Sequence, residues 1–214
     1  VLVHGPGGIG KSALGSEVAA DLRAAGWTVA AIAARPAGRP YATLAGVVEQ
    51  LVLDRRGLLD DVGAPARAVL ALLTPLAAPA GALTGPLGRH QVIGAFRRLL
   101  LAASSGRDVL LQVDDAHLLD DAEVDVVLHL VCGGAPVFVW LAARTPSPDA
   151  PLGRGATRLA TSDRLPAIEL GPLEPADLRR LIAGAAPAPM PPGAVDRVVS
   201  LAGGNPFVAL ELSR

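Results

Sequence analysis

An α/β fold, a parallel sheet covered by helices, is predicted by three features of this sequence. Short apolar runs rich in valine and isoleucine alternate with longer stretches of helical period. A glycine-rich loop joins the first of those runs to the first helical stretch. Apolar residues make up 51% of the chain and charged residues only 18%, the balance of a folded globule and not of a disordered tail.

Five strands are expected: Val1 to His4, Thr28 to Ala33, Val109 to Val113, Val137 to Leu141 and Ala167 to Leu170, each bounded by Gly, Pro or charged residues. Near-continuous apolar sequence is what a parallel strand buried on both faces requires. The helix after the first strand places Leu14, Val18 and Leu22 on one face and ends at Gly26, a suitable C-terminal cap. Val92, Phe96, Leu99 and Leu100 mark a helix just before the third strand. Another starts near Asp120, where Asp120 and Glu123 have capping-box spacing and Val124, Val127, Leu128 and Val131 form an inward stripe. Thr74 to Gly88 is dense in Pro, Gly and Ala, and Thr145 to Thr161 has a similar character, so both read as loops. Beyond Leu170, the spacings Leu178/Leu181/Ile182 and Val195/Val198/Val199 predict two or three short helices. The organisation expected is an α/β core over residues 1–171 and a small helical lid over 172–214, incomplete at its C-terminus.

Bulk properties exclude several function classes. A formal charge of -1 gives no basic footprint for nucleic acid. A single cysteine, Cys132, rules out an internal disulfide and leaves no Cys/His cluster at metal-ligand spacing; it suits a reducing cytoplasm and reads as a small core side chain. Ala66 to Leu83, the most membrane-like stretch, is broken by Pro75 and Pro79 and reads as helix plus loop. Residue 1 is not methionine and Val1-Leu2-Val3 already forms a strand entering a motif, so no signal peptide is expected and the chain reads as a piece of a longer one.

Gly5-Pro6-Gly7-Gly8-Ile9-Gly10-Lys11-Ser12 fits the P-loop (Walker A) pattern, in the strand-to-helix context that its chemistry needs. Glycines let backbone amides turn inward around phosphates, and the helix N-terminus adds a positive dipole. Lys11 would neutralise the β and γ phosphates and Ser12 would ligate Mg2+, with Ala13 completing the binding run. Lys11 is the only lysine among 19 basic residues, which fits a site needing a compact ammonium where a guanidinium fork does not fit.

Val109 to Asp115 has the form of a Walker B strand delivering acids to the carboxyl edge of the sheet, with Gln112 as an imperfection. Asp114 would hold Mg2+ and Asp115 would orient or polarise the attacking water; a structural alternative is that either caps the following turn. Arg144 follows the fourth strand and should emerge at the same edge, as a γ-phosphate sensor or as a solvated arginine. His117 lies near the acids but reads first as a loop or helix-start residue, and His4, His90 and His129 read as structural or surface residues. Gly203-Gly204-Asn205-Pro206-Phe207 reads locally as a helix stop, an Asn cap and a Pro at the first helical position, and Asn205 is the only asparagine.

Taken in order, GPGGIGKSAL, RPYATLAGVVEQL, LLQVDDAHLLDDAEVDVV, WLAART, LGPLEPADLRRLI and GGNPFVALEL resemble the ATPase domain of STAND-class signalling proteins, especially large ATP-binding LuxR-type transcriptional regulators and related AAA-like ATPases. The resemblance implies a P-loop NTPase sheet of order 5-1-4-3-2 and an ATP/ADP switch with slow hydrolysis of ATP to ADP and phosphate. It also implies a GxP motif, here Gly204-Asn205-Pro206, whose proline meets the nucleotide from the lid. DNA binding would belong only to other domains of a longer parent, and nucleotide-dependent self-association is a further expectation. Two alternatives stay open beside the switch: a mechanical AAA-type loader or remodeller, and a nucleotide-binding scaffold without turnover.

Overall fold

The computed structural model describes residues 1–36, 38–77, 88–133, 137–160, 165–185 and 190–214. Its five strands are β1 (Leu2–His4), β2 (Thr28–Ala33), β3 (Val109–Asp114), β4 (Val137–Ala143) and β5 (Ala167–Glu169). They form one parallel sheet of order β2-β3-β4-β1-β5, the expected 5-1-4-3-2 read from the other edge. β3 and β4 read as nearly uninterrupted apolar sequence because both their faces are covered, whereas β5 is an exposed edge.

Alternate residues divide the core into two layers. Val109, Leu111 and Val113 of β3 join Val139 and Leu141 of β4 under a thick layer formed by α2 (Ala42–Asp54), α4 (Ala64–Leu73), α5 (Arg89–Ser104), α6 (Asp121–Cys132) and the short α3 (Leu58–Val62). Leu110, Trp140 and Ala142 face the other way, against α1 (Lys11–Ala24). The contact face of α1 differs from the expected stripe. Leu14 is 39% exposed, while Gly15 and Ala19 are buried, flanked by Val18 and Leu22. Small residues win because α1 lies close over β3 and β4: a Cβ on Gly15 would stand 2.5 Å from Gln112 Nε2 and 3.2 Å from Trp140 Nε1. Gln112, which interrupts the apolar run of β3, is thus a buried side chain beneath α1.

Two further expectations are corrected. Residues 145–161 were expected as loop, yet Pro151–Ala160 is a helix, α7. It buries Leu152 and Leu159, and its glycines serve contact instead of irregularity, since a Cβ on Gly155 would lie 2.8 Å from Val124 Cγ1 of α6. Cys132, expected in the core, is the last residue of α6 and is exposed. The rest of the expected loop at 74–88 opens with a 3-10 turn at Pro75–Ala77, and 78–87 lie outside the described residues.

Glu123 has a larger role than its capping-box spacing suggests. Its Oε2 accepts from Asp120 N–H at 3.4 Å while Asp120 Oδ1 accepts from Glu123 N–H at 2.8 Å, which closes the start of α6. Oε1 accepts from the backbone N–H groups of Thr43 at 2.7 Å and Leu44 at 3.3 Å, so the same carboxylate also caps α2, whose own N-cap Tyr41 offers no side-chain bond. Glu123 is 1% exposed, and burial pushes its carboxyl above the usual range against the pull of the Thr43 bond, with Asp120's charge adding to the rise. Glu123→Ala would strand three N–H donors at two helix starts. It is expected to cost about 3 kcal/mol in urea unfolding, and a loss below about 0.5 kcal/mol would mean that water replaces the carboxylate.

The chain leaves β5 and forms α8 (Pro175–Ala185), α9 (Pro192–Ala202) and α10 (Pro206–Leu212). These helices close on an apolar cluster of their own that includes Leu178, Ile182, Val198 and Ala209. No helix among the described residues is long and apolar enough to cross a membrane.

Candidate functional site

The loop after β1 can turn because its glycines occupy backbone regions closed to other residues. Gly8 and Gly10 have φ of 76° and 104°, and a Cβ on Gly5 (φ 152°) would come within 2.5 Å of Leu170 O at the exit of β5. Gly10 ends the loop and α1 begins at Lys11. Lys11 is 8% exposed and folds back on the loop, where Nζ donates to Gly5 O at 3.0 Å and Pro6 O at 2.7 Å. Burial lowers its pKa; the charges of Asp114 and Asp115 oppose the shift, and that of Arg144 adds to it. Lys11 follows the loop after β1, Asp114 and Asp115 stand at the end of β3 and Arg144 just past β4, so all four lie at the carboxyl edge of the sheet, where ligands of parallel α/β folds bind.

Asp114 closes β3, and its Oδ1 accepts from Asp115 N–H at 2.9 Å. Asp115 takes a left-handed conformation, φ 50°, which turns it out of the strand at the head of a 3-10 turn, Ala116–Leu118. The turn-capping alternative holds only for Asp115's backbone, whose carbonyl accepts from Leu118 N–H at 2.9 Å, since its side chain makes no cap bond. Arg144 directly follows β4. Its N–H lies 3.5 Å from His117 Nδ1, which is itself 3.9 Å from Asp115 Oδ1, so His117 stands between the acid and the arginine.

A cavity of about 340 Å³ opens over these groups. Gly7, Gly8, Gly10, Lys11, Ser12 and Ala13 line one side, Asp115 and Arg144 another, and Pro206, Phe207 and Leu210 of α10 the third. Gly5 and Pro6 stand behind Lys11, Ile9 is buried, and Asp114 is set back from the cavity wall. A larger cavity, about 610 Å³, lies at the amino end of β2 beside Trp27, Thr28 and Val29, the wrong end of a parallel sheet for a ligand crevice.

Sequence reasoning placed Pro206 at the site but missed Phe207 and Leu210, and for Asn205 it offered a helix cap with only a weak functional hint beside it. Asn205 Oδ1 does cap α10, accepting from Phe207 N–H at 3.0 Å and Val208 N–H at 3.3 Å. Its Nδ2 donates to Gly7 O at 2.9 Å, and Phe207 N–H also reaches Gly8 O at 3.2 Å. That hint was the rarity of asparagine in this chain, which says nothing of the partner at Gly7.

The family model of the AAA ATPase domain matches residues 1–141. The chain belongs to this family. The match takes in Gly5 to Ala13 together with Asp114 and Asp115, and it ends within β4, before Arg144 and the C-terminal helices. No curated protein and no solved structure matches the chain. Membership of the AAA ATPase domain family implies nucleotide binding, typically with Mg2+.

Proposed function

We propose that this AAA ATPase domain is an ATP/ADP switch with slow hydrolysis, the regulatory ATPase portion of a longer LuxR-type, STAND-class cytoplasmic regulator. The observation that carries the switch reading is the direct bonding of α10 to the backbone of the glycine loop. Residues 1–171 act as the nucleotide core and 172–214 as its lid. Occupancy of the loop and seating of the lid are then coupled, because a ligand shifts a conformational equilibrium by its differential affinity for the two states.

In this reading the loop from Gly5 to Ala13 wraps the phosphates, its donors the backbone N–H groups that follow Pro6, which has none. Lys11 leaves the carbonyls of Gly5 and Pro6 to pair with the β and γ phosphates. Ser12 lines the cavity and Asp114's charge is felt at Lys11, a hydroxyl and a carboxylate of the kind that hold Mg2+ when phosphates and water complete its shell. Bound Mg2+ would neutralise charge on the β and γ phosphate oxygens. Asp115 takes a proton from the water whose oxygen attacks the γ-phosphorus, as the bond to the bridging oxygen breaks and ADP leaves. Arg144 faces the γ-phosphate and Pro206 packs on the base or sugar.

Denaturing the purified protein and identifying the released nucleotide tests the reading, together with calorimetry against Mg-ADP and Mg-ATP. Retained ADP and binding of both are expected. A protein that carries no nucleotide and binds neither would sink it.

A further inference from the structure

Asn205 joins the C-terminal helices to the loop through the backbone itself. Its Nδ2 holds Gly7 O at 2.9 Å, and the neighbouring Phe207 N–H holds Gly8 O at 3.2 Å. The approach is as close as glycine permits, since a Cβ on Gly8 would lie 2.8 Å from Phe207 Cβ and 2.9 Å from Asn205 Oδ1.

Peptide units are planar, and among the described residues none is cis. The oxygen of Gly7 and the N–H of Gly8 therefore lie on opposite sides of one rigid plate, as do the oxygen of Gly8 and the N–H of Ile9. Fixing the two oxygens fixes the directions of two N–H donors in the middle of the loop. Without such tethers these plates are among the freest in the chain, because the glycines flanking them impose little φ preference, and ordering them would oppose phosphate binding.

We propose that Asn205 is a positioning residue: seated on the loop, it presets the amides of Gly8 and Ile9 for the phosphates of the nucleotide, so that phosphate affinity depends on the position of the lid. This rests on the nucleotide-binding reading of the site and adds a route for its regulation. Linkage makes the effect reciprocal, since a diphosphate that gains from the seated lid must hold the lid seated by the same factor. A ligand without phosphates gains nothing from the preset amides.

Asn205→Ser isolates the contact. Serine caps a helix about as well as asparagine and carries no charge, but it has no amide donor to reach Gly7 O. The variant is expected to melt close to wild type and to bind Mg-ADP and Mg-pyrophosphate about tenfold more weakly by calorimetry, the loss of roughly one hydrogen bond, with adenosine affinity unchanged. In the nucleotide-free protein, the amides of Gly8 and Ile9 should exchange faster than in wild type. Asn205→Asp, which keeps the cap in a shape closer to asparagine, should give the same faster exchange. Unchanged Mg-ADP affinity and exchange, or an equal loss for adenosine and Mg-ADP, would overturn the inference while leaving nucleotide binding intact. A wild type that binds neither Mg-ADP nor pyrophosphate would overturn the nucleotide reading and this inference with it.

Discussion

Lys11→Ala is expected to lower Mg-ATP affinity by about 10²- to 10³-fold, the value of two charge-assisted hydrogen bonds to phosphate of roughly 1.5–3 kcal/mol each, less what water recovers. Lys11 in this structure is largely buried, 8% exposed, and its ammonium already donates to the carbonyls of Gly5 and Pro6. Phosphate binding thus exchanges two neutral acceptors for charged ones. The fold should survive, because Lys11 belongs to no apolar cluster and its neighbours Gly15 and Ala19 carry the contact of α1. Calorimetric titration beside a thermal melt checks both halves, and unchanged affinity in a folded variant would remove the loop from nucleotide binding. Lys11→Arg should also bind weakly, since a planar fork does not fit where a compact ammonium sits between two carbonyls.

The second large effect belongs to Asp115→Asn, which should retain Mg-ATP yet release phosphate about 10²-fold more slowly or worse, the range for losing a positioned base. The substitution is clean for a backbone reason. Asp115 sits at φ 50°, a left-handed region that asparagine enters as readily as aspartate, so the 3-10 turn at Ala116–Leu118 is undisturbed. Asp114 and Ser12, the residues assigned to Mg2+, are untouched. Single-turnover phosphate release at saturating ATP is the measurement, and equal rates for variant and wild type would take Asp115 out of the mechanism. Asp114→Asn should differ in kind by weakening the Mg2+ dependence of binding.

How much of this was legible follows from the range of each signal. The five strands, the helix after the glycine loop and the box at Asp120 and Glu123 are written in residues a few positions apart, where period, capping chemistry and glycine conformation act directly. The GPGGIGKS loop is legible for the same reason: its chemistry is built on consecutive amides. The loop expected over residues 145–161 misled because glycine that breaks a lone helix and glycine that admits a neighbouring one look identical in sequence; at Gly155 only the 2.8 Å approach to Val124 separates them. Leu14 misled because a helical stripe says that some face is buried, and the distance to the sheet then decides whether leucine or glycine fits there.

By itself, then, the sequence determined the five strands, the helices marked by an apolar stripe or a capping box, the parallel sheet and the consecutive-residue glycine loop, all of which depend on local backbone preference and short-range pattern. The tertiary structure alone decided which distant groups meet. Glu123 bonds to Thr43, 80 residues before it, Asp115 and Arg144 face one cavity from just beyond the ends of different strands, and Asn205 bonds to Gly7 across 198 residues of chain. Those meetings are set by the order in which strands lie in the sheet and by the return of the last helix to the first loop. A hydrogen bond between such groups forms only once the core has brought its two ends within about 3 Å, and nothing in either neighbourhood announces the other.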